Sequence, residues 1–299
     1  MGATLTLPVA ERLQATYAVA FTDPPADLRG TVRREVAAQF RAPLRDLVLG
    51  MLDSPMLTLD LRPAEDFPPL PAGLLAAYGA APADLAAVAG AGHLLAVRAA
   101  YRPGWPPAHE WAARAAAGAV AAAASAPVVD VFTPRILSGP ELRRSLPGPQ
   151  GDMRLTDWML ISHSGGTDTV WFTTRGLARF GLPELRTENV PAGLVVPWGR
   201  LLNGLARRLL DVYLDELANS ESPAELRIPA TVSVSLQDVA AASGETEPLC
   251  REVALRLQPA EPSPGDEVPV LAVHAADDGP DRPETLCTAL FGESRQRFG

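Results

Sequence analysis

The sequence predicts an α+β fold, with antiparallel or mixed sheets and helices packed mainly on one face. Three observations favour this class. Along the 299 residues, short segments in which apolar and polar residues alternate, as in strands, are interspersed with segments of helical spacing. An alanine-rich stretch at 106–124 predicts a long helix, and strand-like runs at 93–101 and 127–132 lie on either side of it. Two further runs, at 155–162 and 169–174, are joined by a Gly-Gly dipeptide, which is typical of a hairpin.

The other elements follow from the same patterns, with proline and glycine marking their ends. Asp27 is a suitable N-cap for the first helix. The longest helix, 196–218, has apolar residues close to helical spacing. In chain order we expect strands at 13–21, 56–61, 226–233, 251–257 and 270–274, and helices at 27–40, 44–51, 74–78, 82–89, 140–145, 196–218, 237–242 and 283–291.

A proline-rich bend at 63–71 indicates a boundary in the first third of the chain. We therefore expect an N-terminal α+β unit at 1–80 and a main α+β domain at 81–299. The alternative is that the two parts share one sheet and form one domain.

Composition excludes several classes of function. All 26 basic residues are arginine, so Schiff-base chemistry and a phosphate-loop lysine are ruled out. The formal net charge of −9 disfavours binding to nucleic acid or anionic membranes. The first residues lack the pattern of a secretory signal, and we expect a cytoplasmic protein. Its two cysteines, Cys250 and Cys287, are then expected to be reduced, structural and slow to react.

The Gly-Gly hairpin carries the first candidate for chemistry. If Gly165 and Gly166 form a two-residue loop with positive φ, His163 faces Asp168 across the two strands. Such a pair is a candidate for acid–base catalysis, and an exposed ion pair is the alternative. A local serine-hydrolase triad is excluded because neighbouring strand residues point to opposite faces.

The segment after the hairpin carries the second candidate. Arg175 and Arg179 are four residues apart, which would place them on one face of a short helix. With Glu184 they form a candidate site for binding a small anion. The alternative is that Glu184 or Glu188 pairs with the arginines in a structural role, and we favour it because apolar residues surround them.

No histidine has another histidine at metal-ligand spacing, and no glycine-rich phosphate loop opens a helix. We therefore expect neither a metal nor a cofactor. These exclusions, with the acidic charge and the apolar α+β core, favour a non-enzymatic module whose partner is another protein, and the acidic charge suits a basic partner. The alternative is an enzyme or small-anion-binding domain at the two candidate sites.

The stretch from His93 to Leu210 resembles a family of bacterial domains of unknown function. The resemblance rests on the motifs Val129-Asp130-Val131, Asp157-Trp158, the run from Trp171 to Leu177, and the run from Arg179 to Leu185. It covers roughly 40% of the chain, implies a bacterial origin and an α+β fold, and supplies no activity. Some proteins that resemble this family look like immunity proteins or stress-associated proteins that bind a partner, so the resemblance implies a role of this kind.

Overall fold

The computed structural model describes residues 3–148, 151–221, 223–261, 268–276 and 282–292. The strands are β1 (Thr4–Pro8), β2 (Leu13–Phe21), β3 (Leu57–Pro63), β4 (His93–Tyr101), β5 (Val128–Asp130), β6 (Arg135–Leu137), β7 (Leu160–Gly165), β8 (Thr169–Arg175), β9 (Glu184–Pro191), β10 (Glu225–Pro229), β11 (Thr231–Ser235), β12 (Glu252–Pro259) and β13 (Val270–Ala275). The helices are α1 (Leu28–Gln39), α2 (Leu44–Leu52), α3 (Ala72–Ala77), α4 (Pro82–Ala89), α5 (Ala108–Ala124), α6 (Gly139–Ser145), α7 (Val195–Ala218), α8 (Leu236–Ala242) and α9 (Arg282–Phe291).

These elements confirm the α+β class. The chain divides into two compact units, one made of residues 1–10 and 154–299 and the other of residues 11–153. We call them the β7 unit and the α5 unit. The division expected at residue 80 falls inside the α5 unit, where β3 and β4, on either side of it, are hydrogen-bonded neighbours.

The α5 unit is built on an antiparallel sheet in the order β3-β4-β2-β5-β6. Helix α5 packs against β2 and β4, and α1, α2 and α6 pack around α5. The small alanine side chains of α5 allow the helix to pack close to the sheet, and Ala112, Ala115 and Ala116 are fully buried. The short helices α3 and α4 cover part of the other face, where Leu75 packs with Ala18 and Val129.

The β7 unit has a six-stranded sheet in the order β11-β12-β13-β9-β8-β7, together with the antiparallel pair β1-β10. Strands β13 and β9 are parallel and the other neighbours are antiparallel, so the sheet is mixed. Helix α7 packs against strands of this unit and against α8 and α9. It buries Trp198, Leu201, Leu205 and Leu209 along one stripe, as the helical spacing predicts.

Several elements differ from the sequence-based expectation. The run expected as one strand at 226–233 is two strands, β10 and β11, separated at Ala230. Residues 155–157 form a 3₁₀ turn, and the strand begins later, at Leu160. Strand β9 was not predicted, although it lies between β8 and β13 near the middle of the sheet. Its sequence ELRTENVP is mostly polar and has no strand-like alternation, so its neighbours determine its conformation.

Candidate functional site

The hairpin tip differs in register from the prediction. His163 pairs with Phe172 and Gly165 with Val170, and the amide of Gly166 donates to the carbonyl oxygen of Thr169. The loop residues are therefore Thr167 and Asp168 instead of Gly165 and Gly166.

The prediction that His163 faces Asp168 across the two strands is wrong. The imidazole of His163 lies against the ring of Phe172, with centroids 5.6 Å apart, while Asp168 lies in the turn and accepts from the Thr167 hydroxyl. Of the two glycines expected to have positive φ, Gly165 has it and Gly166 does not. Gly165 is required because a Cβ there would collide with the backbone of Thr169 and Val170.

The expected helical pair of Arg175 and Arg179 is also wrong. Arg175 is exposed at the end of β8, whereas Arg179 is buried in a 3₁₀ turn at residues 177–180. Gly176 separates them with a φ of 108°, a left-handed conformation that ends the strand and prevents a continuous helix. The guanidinium of Arg179 lies 5.7 Å from the ring of Trp158.

Glu184 is buried and accepts hydrogen bonds from the local backbone. Its Oε1 accepts from the amides of Gly176 at 2.8 Å and Ala178 at 3.2 Å, and its Oε2 accepts from the hydroxyl of Thr174 at 2.6 Å. These bonds hold the turn that follows β8. The five residues singled out from the sequence therefore lie in three environments: the hairpin, the end of β8 and this buried turn.

A buried polar network lies in the α5 unit, beneath helix α5. The hydroxyl of Tyr17 donates to Glu110 Oε2 at 2.7 Å, and Nε of Arg114 donates to the Tyr17 oxygen at 3.0 Å. Nη2 of Arg114 lies 3.0 Å from Asp130 Oδ2, and the other oxygen of Asp130 accepts from the amides of Phe132 and Thr133. The network joins α5 to β2 and to the end of β5. No sequence motif predicted this network, because its members are spread from residue 17 to residue 130.

Two cavities open on the helical layer of the α5 unit and share Gln39 and Phe40, so they adjoin. We call them together the helical groove. The larger has a volume of about 400 Å³ and the smaller of about 270 Å³. The larger is lined by Gln39–Leu44, Leu47, Pro106, Trp111, Pro147, Gly148 and Gly151; the smaller by Gln39, Phe40, Arg114, Ala115, Gly118, Ala121, Ala122, Ser125, Ala126, Leu137, Gly139, Leu142, Arg143 and Leu146.

The larger cavity is mainly apolar. Trp111 is almost fully buried in its wall, and Trp105 packs edge-on against Trp111 with ring centroids 5.6 Å apart. Trp105 itself is 46% exposed, next to Pro106 of the cavity wall. Within the described ranges, the indole N–H of Trp111 has no hydrogen-bond acceptor. The groove thus combines a buried aromatic wall with an exposed aromatic residue beside it.

The charges that line the groove are of one sign. Arg41, Arg114 and Arg143 contribute to its walls, and no described carboxylate does. Arg114 is buried and paired with Asp130. Arg41 and Arg143 are exposed and make no ion pair with any described residue. In a chain of net charge −9, the groove is therefore a local cationic surface.

The two cysteines are both free thiols but differ in environment. Cys287 is buried, and desolvation, with a smaller effect of Glu284, raises the pKa of its thiol to about 11. Cys250 is exposed, 3.4 Å from the side-chain nitrogen of Gln237. The expectation that both cysteines are structural is therefore wrong for Cys250, because the segment before β12 lies on the surface.

Neither a cluster suited to a metal nor a membrane-crossing helix occurs in the described ranges. Among the residues that the structure describes, no group of three or more His, Cys, Asp or Glu side chains lies close enough to hold an ion. None of the described helices is both long and apolar enough to cross a bilayer. Comparison with known proteins found no matching family model, no matching curated protein and no matching solved structure.

Proposed function

We propose that this chain is a non-enzymatic protein-interaction module, and that its helical groove binds a short acidic segment of a partner through an apolar anchor side chain. One observation carries the proposal: an apolar cavity of about 400 Å³ whose walls and neighbouring cavity carry arginines and no described carboxylate. Partner proteins bind most strongly where a large apolar side chain fills a pocket bordered by polar groups. The volume of this cavity accommodates such a side chain.

The apolar part of the groove supports an aromatic or proline anchor. Proline-rich and extended segments dock in grooves lined by aromatic and proline residues, which offer flat surfaces at low entropic cost. Phe40, Pro43, Pro106 and Trp111 provide such surfaces here, with Leu47 beside them. The exposed ring of Trp105 extends the apolar surface past Pro106.

The cationic part supports an acidic partner segment. Because Arg41 and Arg143 have no ion-pair partner within the described ranges, a carboxylate can bind them without displacing another. The remaining surface of an acidic chain repels an acidic ligand, so binding is favoured where these arginines lie. The interaction should weaken as ionic strength rises, because both arginines are exposed.

A display library of random peptides, selected on the full chain, tests the proposal. We expect a consensus with a Pro, Trp or Phe anchor and one or more Asp or Glu residues within a few positions of it. A synthetic consensus peptide should then bind in solution, measured by fluorescence anisotropy at two salt concentrations. Selection of basic or purely polar peptides would contradict the proposal.

Matched variants test whether the consensus peptide binds in the groove. Ala122→Trp fills the smaller cavity from an exposed position, and Ala123→Trp adds the same side chain at an exposed neighbour that does not line it. Arg143→Ala removes a lining charge, and Arg12→Ala removes an exposed charge elsewhere in the same unit. We expect Ala122→Trp and Arg143→Ala to weaken peptide binding and both controls to leave it unchanged. Equal binding by all four variants would show that neither the smaller cavity nor Arg143 contributes, and would overturn the groove of two cavities as the site.

A further inference from the structure

Strand β7, in the other unit, forms one edge of its sheet. It is the last strand of the six-stranded sheet, and β8 is its only partner among the strands that the structure describes. Residues His163, Ser164 and Gly165 are exposed, and Leu160, Ile161 and Ser162 are half-buried. An edge strand presents a row of unpaired N–H and C=O groups that another strand can bind.

The register identifies which backbone groups point outward. Because the amide of Gly166 donates to Thr169, the pairs Ser164–Trp171 and Ser162–Thr173 are the hydrogen-bonded ones in the alternating antiparallel pattern. The N–H and C=O groups of Ile161, His163 and Gly165 therefore point away from β8. Outside the pairing of β7 with β8, none of these three residues makes a backbone hydrogen bond to another residue in the described part of the chain.

Strand β7 also lacks the features that protect edge strands. Natural edges carry charges or prolines, or are very short. The edge strand β3 of the α5 unit has Asp60, Arg62 and Pro63, and the edge strand β6 has three residues. The ten residues from Trp158 to Thr167 contain no Asp, Glu, Lys or Arg. In a chain of net charge −9, this is a place where two copies can approach with little repulsion.

We propose that β7 pairs antiparallel with β7 of a second copy of this chain. An antiparallel pair centred on His163 places His163 opposite itself and Ile161 opposite Gly165 of the other copy. All outward N–H and C=O groups of the three residues then meet partners, and the two sheets join into one. A second copy fits this edge because the outward residues are spaced symmetrically about His163.

Mass measurement over a range of concentrations tests the pairing. Sedimentation equilibrium of the full chain should show a reversible dimer of twice the 31.6 kDa chain mass. His163→Pro removes one outward N–H, at a position where an edge strand tolerates proline, and His163→Lys places two charges opposite each other. Each should raise the dimer dissociation constant by roughly tenfold or more, which corresponds to a loss of about 1.4 kcal/mol. Thr169→Lys, exposed on the neighbouring strand, should leave it unchanged.

Disulfide trapping tests the register. In a Cys250→Ser background, His163→Cys should place two cysteines with Cα atoms about 5.5 Å apart, within the range that a disulfide spans. Mild oxidation should then give a covalent dimer, whereas Thr169→Cys should not. Any of three results would overturn the proposal. The wild-type chain could stay monomeric at all concentrations, or the His163→Lys and His163→Pro variants could dimerise as the wild type does. The third result is a covalent dimer that forms equally well from the Thr169→Cys variant.

Discussion

The guanidinium of Arg114 lies 3.0 Å from the carboxylate of Asp130, and both side chains are completely buried in the α5 unit. The pair joins helix α5 to the end of strand β5, and the remaining Asp130 oxygen accepts from two backbone amides. Because both charges are buried, removing one partner takes an opposite charge and a hydrogen bond away from the other. The pair therefore adds a polar tie between α5 and the end of β5 to the apolar packing of the helix on its sheet.

Replacing Arg114 by Met should destabilise the α5 unit strongly. Breaking a buried ion pair by removing one partner costs about 3–5 kcal/mol. Urea denaturation, followed by circular dichroism, measures the change in the free energy of unfolding. The control is Arg207→Met, because Arg207 forms a partly exposed pair with Asp211 one helical turn away. Such pairs contribute about 0.3–0.5 kcal/mol. A similar small effect at Arg114 would contradict the role of the pair.

Glu184→Gln should destabilise the turn after β8. The carboxylate of Glu184 accepts from two amides and a hydroxyl, whereas an amide side chain presents an NH₂ group to one of these donors. Leaving a buried donor unsatisfied costs about 1–3 kcal/mol. Thermal unfolding measures the loss, with the exposed Glu188→Gln on the same strand as the control. Equal melting temperatures for the two variants would show that the carboxylate is not required.

Gly165→Ala should disrupt the tip of the β7–β8 hairpin, and Gly166→Ala should be tolerated. A Cβ at residue 165 would collide with the carbonyl oxygen of Thr169 and lie 2.7 Å from the Cα of Val170, whereas residue 166 has open space. A substitution that the native backbone cannot accommodate costs more than about 1 kcal/mol. Hydrogen exchange of the hairpin amides compares the two variants. Faster exchange in the Gly166→Ala variant instead would contradict the observed register.

Alkylation should distinguish the two thiols. With iodoacetamide at neutral pH, Cys250 should react readily because it is exposed, and Cys287 should react only after unfolding. Burial raises the pKa of the Cys287 thiol from 9.0 to about 11, so its reactive thiolate is scarce at neutral pH. The Cys250→Ser variant should give almost no labelling of the native chain, as mass spectrometry will show.

The same shift predicts a loss of stability in alkaline solution. The thiol of Cys287 loses its proton near pH 9 in the unfolded chain and near pH 11 in the folded chain. Between these values the unfolded state binds fewer protons, so the free energy of unfolding falls as the pH rises. The Cys287→Ala variant should lose less stability than the wild type over this interval. Denaturation experiments at several pH values measure the free energy of unfolding of both proteins. If it falls equally in the wild type and in the Cys287→Ala variant, groups other than Cys287 cause the loss of stability in alkaline solution.

The sequence by itself determined the elements that depend on local interactions. Strand β4 was predicted with its observed bounds, His93 to Tyr101, and Asp27 caps α1 by accepting from the amide of Gly30. Helices α5 and α7 followed from alanine content and helical spacing. In each case the signal lies within one element, because caps and amphipathic periodicity act over a few residues.

Only the tertiary structure decided what depends on distant residues. Strand β1 pairs with β10, more than 200 residues further along the chain, and polar β9 is a strand because β8 and β13 lie on either side of it. A Gly-Gly dipeptide indicated a hairpin, but the pairing of the two strands set its register, and this separated His163 from Asp168. The helical groove and the pair of Arg114 and Asp130 likewise join residues from several elements. Their geometry arises from packing between elements, which no local pattern in the chain encodes.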